Sequence, residues 1–237
     1  MKPDSDISEG LSDLLTKKDV DIFGYCDLSK VSPLPFPNLK NGISIGISLN
    51  PEIVKNLEKG PDDRYVAEYA SVNKRLYRSS EIIAEFLKEN GYDASFIPPT
   101  KQVDDPKVLY AEFPHKTAAT ASGLGWIGKC ALLITKKFGS ALRITTVFTN
   151  APLPFAEPVS KSYCGRCTEC MDICPAGAVS GKEWSPELYR DEFWNAGLCF
   201  EYSRNKGGAA GSEHPVCGLC IAACPWTKKY IKREEII

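Results

Sequence analysis

Cys164-Gly-Arg-Cys167-Thr-Glu-Cys170-Met-Asp-Ile-Cys174-Pro175 is the stretch on which the reading of this chain turns. Its first three cysteines, each separated by two residues, let one tight loop bring three thiolates to three corners of an Fe4S4 cube. The fourth, Cys174, is followed by proline and points away from that cube. A second group, Cys217-x2-Cys220-x3-Cys224-Pro225, repeats the pattern one cysteine short, and Cys199, eighteen positions upstream of Cys217, supplies the missing thiolate. Where two such groups share a chain, the cysteine before the proline ligates the other group's cube. The spacing therefore predicts two [4Fe-4S] clusters with crossed ligands, one held by Cys164, Cys167, Cys170 and Cys224, the other by Cys174, Cys199, Cys217 and Cys220. CxxC pairs also bind zinc, but a zinc ion takes four ligands and does not call for the longer run.

Eight of the ten cysteines thus lie between Cys164 and Cys224, and only Cys26 and Cys130 precede them. That asymmetry marks a boundary. The segment 151–158 carries three prolines in eight residues and suits an extended connection. Residues 1–157 are expected to form an α/β cofactor and substrate domain, and residues 158–237 a domain for the two clusters, an α+β chain as a whole.

In the first part, 21–25 and 43–49 read as strands of one sheet. From Asp62 to Asn90 the apolar residues Tyr65, Tyr69, Val72, Leu76, Ile83 and Phe86 recur at helical spacing, and Gly91 stops the helix. A second helix is expected over 116–122, ending at Gly123-Leu124-Gly125-Trp126-Ile127-Gly128-Lys129. Two further strands, 131–135 and 142–149, are expected to be joined around Phe138-Gly139-Ser140.

The 237 residues are 43% hydrophobic, enough for a sizeable core, and the net charge of -1 with a pI near 6.2 provides no general attraction for nucleic acid. The N-terminal residues lack the basic and apolar regions of an export signal, and no apolar run reaches membrane-spanning length. With tightly spaced rather than scattered cysteines, this predicts a cytoplasmic, metal-binding protein.

With these motifs in place, the chain resembles the epoxyqueuosine reductase family and, more distantly, the reductive dehalogenases. The resemblance rests on Gly123-Leu-Gly-Trp-Ile-Gly-Lys129, Gly139-Ser140, Thr149-Asn-Ala-Pro-Leu153, Cys199-Phe-Glu-Tyr202, the two cysteine groups and Cys224-Pro-Trp226. It implies a nitroreductase-like α/β domain carrying cobalamin, followed by a ferredoxin-like domain that passes electrons to it for reduction of a small-molecule substrate. The electron donor would be a ferredoxin or flavodoxin. An electron-transfer protein that activates another corrinoid protein and an epoxyqueuosine reductase acting on tRNA are the alternatives.

The turn Gly123 to Lys129 is the expected cofactor site, since glycines let backbone approach a bulky ligand and offer N–H groups to a phosphate. A turn in which Trp126 fills core is the plain structural reading, and FMN in the same pocket is the alternative cofactor. Epoxyqueuosine reductases carry an aspartate in an Asp-x-x-Pro stretch before this turn; here the region reads Val108-Leu-Tyr-Ala-Glu-Phe-Pro-His-Lys116 and has none. The chain also ends at Ile237, soon after the second cysteine group, as a short form without the helical extension by which full-length members engage tRNA. Both features argue against tRNA. Candidate proton donors are His115, Tyr110, Glu112 and Lys116. His214 is expected near a cluster or at the surface, and Cys26 and Cys130 as small buried residues. The run Lys228 to Arg233 is expected to be a solvated helix face.

Overall fold

Alternation along one strand explains how the main sheet is covered on both faces. The computed structural model describes residues 5–18, 20–100 and 111–236. Strand β2 (Asn41–Ser48) sends Ile43, Ile45 and Ile47 to one face, where helices α1 (Ser5–Lys17) and α3 (Asp63–Glu89), with the short α2 (Pro51–Asn56) between them in the chain, contribute to the same core. Gly42, Ser44 and Gly46 occupy the other face, where a Cβ on Gly42 would lie 2.8 Å from Cys26 Sγ and from Leu28 Cδ1. Small residues there make room for helix α4 (His115–Ala121). The sheet has the order β1-β2-β6-β3, antiparallel throughout, with β1 at Ile22–Asp27, β3 at Ala94–Ile97 and β6 at Leu142–Thr149. The two expected N-terminal strands are neighbours in it, Ile22 opposite Gly46.

Helix α3 has the span its periodicity predicts. Asp62 caps it by accepting the Tyr65 N–H at 2.9 Å, and Gly91, with φ of 85°, follows its last turn. Tyr65, Val72, Leu76 and Ile83 are buried in the core, while Tyr69 and Phe86 pack at its edge. Buried threonines on β6 keep their hydroxyls satisfied by fastening neighbouring elements: Thr145 donates to Ile97 O at 2.9 Å and Thr149 to Asp93 O at 2.8 Å.

The expected pairing of 131–135 with 142–149 is not what forms. β6 is claimed on both edges by β2 and β3, so Leu133–Ile134 (β5) pairs instead with Trp126–Ile127 (β4) in a separate two-stranded sheet. The turn between β5 and β6 is closed by a lone bridge between Thr135 and Gly139.

Short helices follow the proline-rich segment: α5 (Glu169–Asp172), α6 (Arg190–Phe193), α7 (Ala196–Ala209), α8 (Leu219–Ala223) and α9 (Pro225–Glu234). The segment itself has no regular structure, and is held by Ala156 N–H to Tyr25 O at 3.1 Å and Val159 N–H to Thr120 O at 2.9 Å. The last helices fold back on the main core, to which Val216, Ile221, Ala222, Tyr230 and Ile231 contribute, and Tyr230 donates to Leu49 O at 3.0 Å. The tightest meeting lies at Gly139, φ 59°, where a Cβ would overlap the Thr227 backbone. Beside it Ser140 donates its N–H to Thr227 Oγ1 at 3.0 Å.

Gly139→Ala should therefore lower stability by about 1–3 kcal/mol through overpacking, with added strain from the left-handed backbone. A melting temperature equal to that of the unaltered protein would show that α9 can move away without penalty.

Candidate metal centre

The first cysteine group folds as a tight loop because Gly165 takes a left-handed conformation, φ 55°, and the Cys167 N–H returns to Cys164 O at 3.1 Å. α5 carries Cys170, and the Cys174 N–H closes on Met171 O at 3.2 Å before Pro175. The second group is built differently. Gly218, φ 84°, lies against Leu57 so closely that a Cβ would stand 2.8 Å from its Cδ1, and α8 then carries Cys220. Pro175 and Pro225 follow the last cysteine of each group, and Pro225 opens α9.

A cavity of about 120 Å3 is lined by Cys164, Cys167 and Cys170 of the first group and by Cys224 of the second. This is one of the two crossed sets read from the spacing. In the other, Cys199, Cys174 and Cys217 are close enough to act on one another: the thiols of Cys199 and Cys217 are pushed up first by burial and then by Cys174. Cys199 is set by α7, whose first turn is capped by Asn195 accepting the Leu198 N–H at 3.0 Å. All ten cysteines are free of disulfides. Cys164, Cys167, Cys170 and Cys224, brought from two loops to the wall of one void and not bonded to each other, are a donor set suited to a cuboidal cluster.

The glycine-rich turn makes its close approaches to protein. A Cβ on Gly125 would overlap the Ile134 carbonyl, and one on Gly128 would overlap the Ile134 side chain while standing 3.6 Å from Cys164 Sγ. Trp126, 2% exposed, packs edge-on to Tyr163 and Trp226, with ring centroids 5.2 and 5.3 Å away. Its indole N–H is buried and has no hydrogen-bond partner among the described residues. Leu124 and Ile127 pack beside separate apolar clusters, and Gly123, φ 70°, leaves the exposed end of the turn. Lys129 is 6% exposed and donates from Nζ to Gly165 O at 2.8 Å and Cys167 O at 3.0 Å. It also lines the 120 Å3 cavity.

Cys130 has a place its spacing did not announce. Its thiol lies near enough to Cys170 and Cys220 for both to act on it, so it stands between the two cysteine sets. Cys26, by contrast, is a buried thiol pushed up to about 12, chiefly by burial, with its Sγ 3.6 Å from Gly42 O.

Of the candidate proton donors, Tyr110 lies outside the described residues and Glu112 is exposed. His115 has both ring nitrogens engaged, Nε2 at 3.1 Å from Pro98 O and Nδ1 at 3.1 Å from Thr146 Oγ1. A carbonyl only accepts, so Nε2 carries the proton and Nδ1 accepts from the threonine. Burial pushes His115 down to about 4, with the Arg143 and Lys116 charges adding to it. Lys116 donates to Ala131 O and is pushed down to about 8, first by burial and further by Arg190 and Arg143, against an opposing effect of Cys130. Arg143 was missed from sequence, although a lone arginine in an apolar and threonine-rich strand was there to be noticed. Its Nε donates to Asn73 Oδ1 at 3.0 Å, and one terminal nitrogen donates to Thr100 Oγ1 at 2.8 Å and Tyr69 OH at 3.2 Å. His214 packs at 6.0 Å from the Tyr69 ring. The run expected to be a solvated face is solvated only in part: Lys229, Lys232 and Arg233 are exposed, Tyr230 and Ile231 turn into the main core because the helix is amphipathic, and Lys228 stands 3.9 Å from both Glu58 and Glu169.

Residues 163–227 match the model of a 4Fe-4S double cluster binding domain. Among curated proteins, an epoxyqueuosine reductase of Pseudomonas aeruginosa is 31% identical over 184 residues, 71% of this chain and 45% of that protein. A tetrachloroethene reductive dehalogenase of Sulfurospirillum multivorans is 28% identical over 207 residues, 82% of this chain and 37% of that protein. The chain thus spans half or less of the length of these two relatives. Among solved structures, a catabolic reductive dehalogenase in complex with 3-bromo-4-hydroxybenzoic acid aligns with a TM-score of 0.74 at 18% identity, over 99% of this chain and 35% of its own. An epoxyqueuosine reductase with a tRNA stem loop aligns at 0.64 and 17% identity, over 95% and 66%. These likenesses support the mixed helix-and-sheet fold, and among the described residues no helix is long and apolar enough to cross a membrane. Residues 163–227 thus carry a 4Fe-4S double cluster binding domain, in a chain whose sequence is similar to both epoxyqueuosine reductases and reductive dehalogenases.

Proposed function

We propose that this chain is a cytoplasmic iron–sulfur reductase, with a nitroreductase-like part at 1–157 and a ferredoxin-like part at 158–237, that reduces a small substrate at a bound cobalamin. The observation that carries this reading is the cavity in which three thiols of the first group meet Cys224 of the second. When bound, the clusters supply one-electron storage and cobalamin a metal centre for reducing the substrate.

The chain's own residues hold and shield. Cys164, Cys167, Cys170 and Cys224 hold one cluster, and Cys174, Cys199, Cys217 and Cys220 the other. Gly165, Arg166, Thr168 and Glu169 are exposed on the first loop, which suits it to meet a ferredoxin or flavodoxin donor, whereas Gly218 and Leu219 are buried. Because Gly125 and Gly128 are packed against Ile134, donors for a corrinoid would come from the exposed Gly123 at the start of the turn and from Lys116 and Arg143, neither of which pairs with a carboxylate among the described residues. Lys116 is the group best placed to hold a transferable proton, at Nζ, since burial brings its acidity to about 8. His115, with both nitrogens engaged, holds α4 to β6 and to Pro98.

Two other readings have an observation each. An inward-packed glycine turn favours an electron-transfer protein for another corrinoid protein. The epoxyqueuosine reductase relatives, one of them solved with a tRNA stem loop, favour tRNA as substrate, against the sequence-based expectation. The flavin alternative gains no support from these relatives.

Anaerobically reconstituted protein should contain about eight irons and eight sulfides per chain. Cys224→Ala should keep about four of each, and Cys26→Ala about eight. One or two zinc ions in place of iron would end the proposal. Adding hydroxocobalamin anaerobically should shift its visible spectrum; an unshifted spectrum would leave the electron-transfer reading in its place. Deleting the gene should leave epoxyqueuosine in bulk tRNA unchanged, and its accumulation would establish the tRNA reading.

His115 gives a pH dependence of stability. Above its unfolded value of 6.5 both states are neutral. As pH falls from 6.5 towards 4 the unfolded chain takes up a proton that the folded one refuses, so stability is lost across that window. Melting temperatures measured from pH 7 to 4 should fall less steeply in His115→Gln. An identical slope would place the charge-sensitive group elsewhere.

A further inference from the structure

Among the groups lining the 120 Å3 cavity, one carries a fixed charge. Lys129 is 6% exposed, yet its recorded partners are two neutral carbonyls, Gly165 O and Cys167 O. An ammonium has three N–H donors, so one donor and the whole of the charge are left without a match. Among the described residues no carboxylate pairs with it. The Glu183 carboxylate is taken up by the Gly165 N–H rather than by Lys129, and a buried cation whose direct partners are all dipoles is unfavourable unless an anion completes it. The thiols on the same wall are the available source of that anion.

We infer that Lys129 is the built-in counter-charge of the cluster held by Cys164, Cys167, Cys170 and Cys224, and that it selectively raises the reduction potential of that cluster. The inference rests on the iron–sulfur reading above. Reduction adds one electron, and with it one negative charge, to the cluster, with no bond broken and no proton taken up. A nearby fixed cation stabilises the more negative state, and it does so strongly where protein rather than water surrounds it. The contrast is Lys206, which acts on Cys217 but is exposed, so that solvent and salt screen it. Lysine at position 129 therefore does more than tie a loop, a task that a neutral donor such as glutamine would also perform.

The test is an anaerobic potentiometric titration with dithionite, followed by electron paramagnetic resonance, on wild-type protein and on Lys129→Gln, Lys129→Met, Lys129→Arg and Lys206→Gln. Wild-type protein with full iron and two cluster signals establishes the underlying reading separately. Lys129→Gln and Lys129→Met should then make one of the two clusters at least tenfold harder to reduce, about 59 mV for one electron, and leave the other in place. Lys129→Arg should stay near wild type, and Lys206→Gln should move neither. Full iron with both potentials unchanged in the neutral variants would overturn the inference, as would equal shifts of both clusters or an arginine variant that shifts as far as glutamine. If the neutral variants lose one cluster, retention of that cluster in Lys129→Arg supports the counter-charge, and its loss there assigns Lys129 to packing alone.

Discussion

The seat of α9 on the turn before β6 is the constraint on which the grouping of the cysteines depends. Thr227 can approach only because position 139 has no side chain, and its hydroxyl then takes the Ser140 N–H. Cys224 lies three residues earlier, at the cap of the same helix, so the contact that joins the last helix to the sheet also fixes where that sulfur stands. A local loop can gather three sulfurs by spacing alone. The fourth corner needs a long-range contact, and this is the one that provides it.

The same economy appears on the opposite side of the cavity. Ile134 fills the space left by Gly125 and Gly128, and Lys129 reaches from the end of that turn to the carbonyls of the first cysteine loop. The turn is thus a bracket between the sheet-bearing part and the metal-binding part. Cys130 extends the bracket, since Cys170 of one set and Cys220 of the other both act on its thiol. The charges nearby are one-sided: Lys116 and Arg143 are bound by carbonyl, hydroxyl and amide oxygens, with no carboxylate of their own among the described residues.

What could be read in the sequence was what depends on short-range spacing. Helix α3 was legible to within a residue because cap, periodicity and stop signal agree between Asp62 and Gly91. Of the cysteine groups, spacing pointed to Cys164, Cys167, Cys170 and Cys224 together, and these four line one cavity. The partner of 131–135 was not, since strand pairing is decided by what else competes for β6, and propensity is silent on that. The glycines of the 123–129 turn were rightly singled out as points of close approach, but sequence does not say whether ligand or protein makes the approach. Arg143, Asn73 and Thr100 come together from a helix, a strand and the stretch following β3, a convergence that no local pattern encodes.

The two cysteine loops differ in how far they exist before any metal arrives. Gly218 and Leu219 are packed under the main core against Leu57, so the second loop takes its shape from folding alone. The first loop, with Gly165, Arg166, Thr168 and Glu169 in solvent, is tied by Lys129, by the Glu183 carboxylate that accepts the Gly165 N–H, and by its own turns. Of the two walls, the outer one therefore owes its place to single polar tethers, and the inner one to packing.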